Sequence, residues 1–346
     1  MKKKILILLS LFSAGNLVAQ PKQKLELYLS NYLFKQGIND VGSIKLNDGQ
    51  VTLKSVTVSG SGVKLIHAGD SFKLTISNKT DASKPWIDVP VKAVTSAGPL
   101  ADTFRIVNNT FVKNKVIAHR GAWKNTGATE NSIAALQHAI GLGCEGSEFD
   151  VHMSADFVLY IHHDHEINGV SIEQSPSATL SGIKLTNGEQ LPTLEAYLKE
   201  GMKQNKTRLI LEIKASKISK ERSIALTNRV VDVVKKLKAE GWVDYISFDY
   251  DVCKEVMRLA PYAKVSYLMG DKAPAALARE RFFGLDYHFS VLQKQPDWIK
   301  EAKQNKLTVN VWTVNDEQTM DWLLKEDADF ITTNEPELLL KKVSSK

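Results

Sequence analysis

The chain has 346 residues, an apolar share of 43% and a formal net charge of +6, values typical of a soluble globular protein with one or two domains. Two cysteines, Cys144 and Cys253, are too few for a small disulfide-stabilised scaffold. They fall in different predicted elements, a helix-to-strand turn and a helix. We therefore predict two buried free thiols, with a disulfide as the alternative, and no catalytic cysteine.

The first residues have the pattern of a secretory signal peptide. Lysines at 2–4 precede the apolar run 5–12, which is too short to span a bilayer, and small residues follow up to Ala19. Removal of residues 1–19 takes three lysines and no acids from the formal charge of +6 and leaves +3, which weakens the case for nucleic-acid binding. We expect an exported protein, periplasmic or secreted, without a transmembrane segment.

Residues 20–112 are predicted to form a small all-β domain. The alternating apolar and polar segments lie at 56–58, 72–76 and 86–94. Residues 44–46 and 51–53 flank Asn47-Asp48-Gly49 and predict a β-hairpin. Short strands at regular spacing are typical of a β-sandwich. The role of this domain, whether docking, glycan binding or interdomain bracing, stays open.

Strands and helices alternate over residues 113–346, which predicts a parallel sheet closed by helices. The strand candidates are 116–119, 145–151, 208–213, 244–248, 264–268, 284–288, 308–312 and 329–332. Eight strands over roughly 230 residues predict a TIM (β/α)8 barrel.

One further strand, 157–163, follows the second barrel strand after too few residues for a parallel crossover. We therefore predict an antiparallel hairpin with a two-residue turn at Ala155-Asp156. That register places His163 directly opposite Glu148, with the two side chains about 5 Å apart.

Carboxylates gather on the second and third barrel strands. Glu148 and Asp150 are two residues apart and so share one face of a strand, and Glu212 and Lys214 repeat this spacing. Three carboxylates suit a hard divalent cation, Ca²⁺ or Mg²⁺, better than zinc. Lys214 would neutralise either a neighbouring acid or the substrate phosphate. The alternative for Glu148 and Asp150 is a solvated strand face, and the alternative for Glu212 and Lys214 is a buried structural ion pair.

Two histidines and an arginine stand at strand ends. Cleavage of a phosphodiester needs a base for the attacking oxygen and an acid for the leaving oxygen, and histidine suits both roles because its ordinary pKa is about 6.5. His119 and His163 are the candidates, although either one alone could be a structural histidine. Arg120 can donate two parallel hydrogen bonds to phosphate oxygens.

A series of short motifs connects these residues. They are HRG at 119–121, EN at 130–131, E-x-D-V at 148–151, HD at 163–164, LEIK at 211–214, SF at 247–248, VNVWTVND at 309–316 and FITTNEP at 330–336. In this order they resemble the glycerophosphodiester phosphodiesterase family over residues 115–342. The resemblance implies a TIM barrel and a divalent cation held by the E-x-D pair and the glutamate of E-x-K.

The same resemblance suggests roles for other residues. Glu130 would orient Arg120 or the ion, or else be a first-turn helix acid. Trp312 and Phe248 would pack against the glycerol group, or else be core aromatics of the barrel rim. The chain departs from the family in two places: Phe157 replaces the usual turn glycine, and a compact loop with an Asn-Gly turn replaces the long segment after HD. The second departure leaves the substrate open.

The leading hypothesis is an exported, metal-dependent enzyme that hydrolyses small glycerophosphodiesters to glycerol phosphate and an alcohol. A diesterase acting on intact phospholipids is an alternative, and it requires an exposed apolar rim at the barrel mouth. A non-catalytic binding protein that uses its β-domain is another. The G-x-G-x-x-G pattern at 141–146 follows a helix and precedes a strand, which excludes a dinucleotide fingerprint. The run HHDH at 162–165 lacks the imidazoles for a two-zinc site.

Overall fold

The computed structural model describes residues 24–35, 41–69, 71–77 and 84–344. The predicted signal peptide lies outside these ranges, so export stays a prediction. Within the described ranges, no helix combines the length and apolar character needed to cross a membrane.

Among the described residues before position 109, eight strands form two four-stranded sheets. They are β1 (Leu27–Leu29), β2 (Leu33–Phe34), β3 (Gly42–Leu46), β4 (Leu53–Val58), β5 (Val63–Ala68), β6 (Ser71–Ile76), β7 (Trp86–Thr95) and β8 (Gly98–Asn108). One sheet has the order β1-β3-β6-β5 and the other β2-β8-β7-β4. Leu29 and Leu74 from the first sheet share a buried core with Val89 and Ile106 from the second. The two sheets form the predicted β-sandwich.

The hairpin predicted around Asn47-Asp48-Gly49 is wrong. β3 pairs with β1 and β6, whereas β4 pairs with β7 in the opposite sheet. The Asn47 side chain accepts a hydrogen bond from the Glu26 N–H at 2.8 Å and donates one to the Lys24 carbonyl at 2.8 Å. These bonds tie the turn to the start of the first sheet, and the chain then crosses to the second sheet.

Eight parallel strands close into a barrel, as predicted. They are β9 (Val116–Ala118), β10 (Gly146–Met153), β14 (Arg208–Ile213), β15 (Val243–Ser247), β16 (Val265–Tyr267), β17 (Gly284–His288), β18 (Thr308–Trp312) and β19 (Phe330–Thr333). The barrel closes because β9 pairs with both β10 and β19. Its strands are buried on both faces, which explains their nearly continuous apolar sequence.

The helices pack around this barrel, apart from the short helix Ser177–Leu180, which lies in the loop after His163. They are α1 (Ile133–Leu142), α2 (Ser177–Leu180), α3 (Leu194–Gly201), α4 (Lys220–Leu237), α5 (Tyr250–Leu259), α6 (Pro274–Arg279), α7 (Phe289–Lys294), α8 (Trp298–Gln304), α9 (Glu317–Lys325) and α10 (Pro336–Ser344). In α4, Leu226, Val230 and Val234 are buried at helical spacing. Cys144 and Cys253 are buried free thiols, as predicted.

The hairpin of β10 with β11 (Leu159–Ile161) forms, but its predicted register is wrong by one residue. Val151 pairs with Ile161, and Ala155, Asp156 and Phe157 form a three-residue turn. Phe157 adopts a left-handed φ of 68°, the conformation that glycine usually supplies in such turns. This extra turn residue moves His163 out of the position directly opposite Glu148.

The compact loop after His163 has its own small core. It contains the two-stranded hairpin β12 (Glu166–Ile167) and β13 (Val170–Ser171), joined by the predicted turn at Asn168-Gly169 with φ angles of 53° and 75°. The buried residues of this core are Tyr160, Ile167, Ile172, Leu180, Leu185 and Leu191. The loop is therefore a packed unit on the β10–β11 hairpin.

The β-sandwich packs on the barrel through polar and aromatic contacts. Lys235 Nζ lies 2.7 Å from Glu26 Oε2, and the Trp86 ring meets Trp242 edge-on at 5.7 Å. A cavity of about 370 Å³ between the two units contains none of the predicted catalytic residues. The predicted domain boundary at residue 112 stays a prediction.

Candidate active site

A cavity of about 110 Å³ lies at the carboxyl ends of the barrel strands, where the active sites of TIM barrels lie. Eight of the ten predicted site residues line it: His119, Arg120, Glu148, His163, Glu212, Lys214, Phe248 and Trp312. The other two, Asp150 and Glu130, contact lining residues from behind. The structure therefore brings together residues from five barrel strands, their loops and the hairpin.

A tight turn after β9 directs the first of these residues. Arg120 and Gly121 both have left-handed φ angles, 58° and 79°. A Cβ on Gly121 would lie 2.7 Å from the backbone carbon of Ala135 in α1, so only glycine fits there. This turn lets the backbone N–H of Arg120 donate to Glu148 Oε2 at 2.9 Å.

His119 is held as a neutral imidazole. Its Nδ1 lies 2.7 Å from Asn334 Oδ1, and because a carbonyl oxygen only accepts, the proton is on Nδ1. Nε2 is then unprotonated and lies 3.9 Å from Glu148 Oε2. Burial, together with the charge of Arg120, lowers the pKa of His119 to about 4. The free Nε2 can therefore accept a proton near neutral pH.

The three predicted carboxylates form one buried cluster. Ligand atoms of Glu148, Asp150 and Glu212 lie within 4.8 Å of one another. Asp150 and Glu212 are neighbours across the β10–β14 pair. Lys214 Nζ lies 2.8 Å from Asp150 Oδ1 and 2.8 Å from Glu212 Oε1. Three carboxylates and one ammonium leave a formal charge of −2 in this cluster.

Burial makes this negative charge unfavourable in free energy, and the pKa values of the carboxyl groups shift as a result. Burial and the neighbouring carboxylates raise the pKa of Glu148 well above its ordinary value and raise that of Glu212 to about 8. Burial also favours the neutral form of Asp150, but Lys214 and His163 outweigh it and lower the pKa of Asp150. Glu148 Oε1 is buried without a hydrogen-bond partner among the described residues. These oxygen donors and their charge fit a divalent cation.

Arg120 is oriented from behind the cavity. Its Nη1 donates to both carboxylate oxygens of Glu130, at 3.0 and 2.9 Å, and its Nε lies 3.9 Å from Asp150 Oδ2. The structure thus places Glu130 against the guanidinium, one of the two contacts that the family resemblance implied.

His163 lines the cavity despite the changed register. Its side chain is one-third exposed, and Nδ1 lies 2.7 Å from Asp164 Oδ1. This contact occupies Nδ1 and leaves Nε2 as the nitrogen available for proton exchange.

An aromatic wall closes another side of the cavity. The rings of Phe248 and Trp312 meet edge-on with centroids 5.4 Å apart, and Trp312 Nε1 donates to the Asp286 carbonyl at 2.9 Å. Ring packing and a hydrogen bond to a backbone carbonyl therefore hold the two aromatic side chains in place.

Sequence reasoning missed three polar residues of this site. Asn334 fixes the His119 tautomer. Asn131 exchanges two hydrogen bonds with Asp150, through Nδ2 to Oδ2 at 2.8 Å and from the Asp150 N–H at 3.2 Å. Asn131 lies in the EN motif and Asn334 in the FITTNEP motif, so the motifs could have identified both as site residues. Asp286 lines the cavity floor, and burial raises its pKa to about 7; no motif marked it.

Comparisons with known proteins agree with this geometry. Residues 119–338 match the model of the glycerophosphoryl diester phosphodiesterase family. A glycerophosphodiester phosphodiesterase of Caldanaerobacter subterraneus is 28% identical over 249 residues, which cover 67% of this chain and 98% of that protein.

Solved structures show the same fold. A glycerophosphodiester phosphodiesterase from Parabacteroides distasonis is 46% identical with a TM-score of 0.66, covering 68% of this chain and 98% of that one. An Oleispira antarctica phosphodiesterase, solved with the product sn-glycerol-3-phosphate, is 24% identical with a TM-score of 0.58, covering 67% and 97%. Because the family model matches more than half of the sequence, the chain belongs to the glycerophosphoryl diester phosphodiesterase family and is a phosphodiesterase.

Proposed function

We propose that this protein hydrolyses small glycerophosphodiesters to glycerol phosphate and an alcohol, using a divalent cation and two histidines. The observation that carries the proposal is one cavity in which the neutral imidazole of His119 and the side chain of His163 meet a buried acidic cluster of formal charge −2. The names of the similar proteins support the substrate class.

Glu148, Asp150 and Glu212 would hold the cation, and their hard oxygen donors favour Ca²⁺ or Mg²⁺. A bound cation would supply positive charge to the phosphate oxygens. Lys214 and Arg120 add further positive charge at the same wall of the cavity.

His119 would take the proton from the attacking oxygen, because its Nε2 is unprotonated. The attacking oxygen would be water or the neighbouring glycerol hydroxyl; the residues suit both. His163 would donate a proton to the leaving alcohol, with Asp164 stabilising its charged form. Trp312 and Phe248 would pack against the glycerol group, which a cavity of about 110 Å³ can accommodate.

One observation favours intact phospholipids as a second substrate class. Phe157, Ile218 and Met269 are 53%, 52% and 55% exposed, and each lies on a loop after a barrel strand at the cavity end. These exposed apolar side chains would supply the rim that this alternative requires. Export of the mature protein is also part of the proposal and rests on the signal-peptide pattern alone.

The test is hydrolysis of glycerophosphocholine, glycerophosphoethanolamine and glycerophosphoinositol by the mature protein, beside phosphatidylcholine vesicles. We expect glycerol phosphate from at least one soluble diester and a loss of at least about a hundredfold in His119→Ala and His163→Ala. Full activity of His163→Ala would contradict the mechanism. Activity on vesicles alone would favour the second substrate class.

A further inference from the structure

Buried polar side chains outside the cavity contact the backbone segment that contains His163. The first of them is His152, which is 1% exposed. It continues the row of Glu148 and Asp150 at two-residue spacing, so all three side chains leave the same face of β10. The proposed chemistry does not use it, because it does not line the cavity.

His152 contacts the backbone of His163. Its Nε2 lies 3.1 Å from the main-chain oxygen of His163, and because that oxygen only accepts, Nε2 is the donor. β11 ends at Ile161, and the last ladder bond of the hairpin is donated by the His162 N–H to the Asp150 carbonyl at 3.1 Å, so His163 lies directly beyond the pairing. In this register the His163 carbonyl faces away from β10, so the bond from His152 fixes a backbone group that the strand pairing does not engage.

Neighbouring residues hold the His152 ring in place. The ring of His165 packs edge-on against it, with centroids 4.7 Å apart and planes at 66°. His165 Nδ1 lies 3.5 Å from Glu173 Oε2, and Glu173, 5% exposed, accepts a hydrogen bond from the Lys217 N–H at 3.0 Å. This network connects the loop after His163 to the loop after β14, which carries Lys214.

We propose that His152 is a positioning residue that sets the placement of the His163 imidazole at the leaving oxygen. This inference rests on the proposed function, in which His163 protonates that oxygen. A shift of about 1 Å in a proton donor is enough to impair general acid catalysis. The last ladder bond of the hairpin runs from the His162 N–H to the Asp150 carbonyl at 3.1 Å, and the bond from His152 holds the backbone directly beyond it.

The test compares two leaving groups. Departure of choline from glycerophosphocholine needs a proton, whereas departure of 4-nitrophenolate from the 4-nitrophenyl ester of glycerol phosphate does not. The variants are His152→Phe, which keeps a ring but lacks the donor, and His152→Gln, which keeps an N–H donor at similar reach. His138→Phe, on α1, is a control for loss of a half-buried histidine elsewhere.

We expect His152→Phe to lower kcat on glycerophosphocholine by about tenfold to a hundredfold and on the 4-nitrophenyl ester by less than about threefold. His152→Gln should recover most of the loss, and His138→Phe should change neither rate. Activity on the 4-nitrophenyl ester also reports that each variant is folded.

Equal losses on both substrates, or no loss on either, would overturn the positioning role. His163→Ala is measured in parallel and must itself lose more activity on glycerophosphocholine. If His163→Ala affects both esters equally, the acid role in the proposed function fails, and the inference about His152 fails with it. If His163→Ala discriminates but His152→Phe does not, only the inference about His152 fails.

Discussion

The Nδ1 of His119 lies 2.7 Å from the Oδ1 of Asn334, although 215 residues separate them. The contact joins the loops after the first and last barrel strands, β9 and β19, which are neighbours only because the barrel closes. It determines which nitrogen of His119 is free for proton transfer.

Removal of the Asn334 side-chain amide should impair His119 as the general base. We expect Asn334→Ala to lower kcat by about tenfold with little change in KM, because the imidazole loses its tautomer and orientation. The measurement is steady-state kinetics on glycerophosphocholine. An unchanged kcat would mean that Asn334 does not orient the base.

A charged substitute at the same position should move the pH profile. Asn334→Asp places a carboxylate beside Nδ1, which stabilises the imidazolium and raises the pKa of His119 from about 4. Since the base must be neutral, the low-pH limb of kcat/KM should shift to higher pH. A limb that stays in place would show that another group controls it.

The acidic cluster should make the metal-free protein sensitive to pH. The pKa of Glu212 rises from 4.5 to about 8 on folding, so its contribution to stability is present at low pH and lost as pH rises through this range. Buried His119, with a pKa of about 4, opposes this effect up to its ordinary pKa of 6.5. We therefore expect the Tm of the metal-free protein to fall between pH 6.5 and pH 8, and the stabilisation by added Ca²⁺ to grow over the same range.

Thermal unfolding with EDTA or with Ca²⁺ at several pH values tests this, and Glu212→Gln is the matched variant. It should flatten the pH dependence and reduce the Ca²⁺ effect. A metal-free Tm that does not change with pH would contradict the electrostatic account of the cluster.

Asp286 provides an independent pH test. Burial raises its pKa from 3.8 to about 7, so the charged form destabilises the fold above that pH. We expect Asp286→Asn to raise the Tm at pH 8 and to have a much smaller effect at pH 5, where the carboxyl is already neutral. An equal effect at both pH values would point to packing instead of charge.

The turn at Phe157 should tolerate glycine but not a β-branched residue. A φ of 68° destabilises the fold by about 1 kcal/mol for a residue other than glycine. The Arg222 guanidinium, 4.7 Å from the centre of the Phe157 ring, offsets part of this free energy through a cation–π contact. Phe157→Gly should leave the Tm nearly unchanged, and Phe157→Val should lower it. A marked loss in Phe157→Gly would mean that the ring packing dominates.

The barrel was predictable because its strands are buried on both faces and read as apolar runs. β14, with Glu212 as one acid among apolar neighbours, shows why the functional residues also stand out. An acid in such a strand has few uses other than binding a cation or pairing with a base, so the cluster with Lys214 followed from spacing.

The pairing of individual strands was harder to predict from the sequence. At the β10–β11 turn, the register depended on whether Phe157 would adopt a left-handed conformation, which residue preferences disfavour. Around Asn47, local turn signals competed with hydrogen bonds to a strand start more than twenty residues away, and the distant bonds determined the sheet. Neither outcome is contained in a local pattern.

Cation-dependent catalysis is tested most directly by measuring the glycerol phosphate released by protein that is stripped of metal and then titrated with Ca²⁺ or Mg²⁺. We expect that stripped protein is nearly inactive, that one of the cations restores activity, and that Glu148→Gln prevents the restoration. Full activity of stripped protein in EDTA would contradict the claim that the cluster of Glu148, Asp150 and Glu212 serves catalysis by holding a cation.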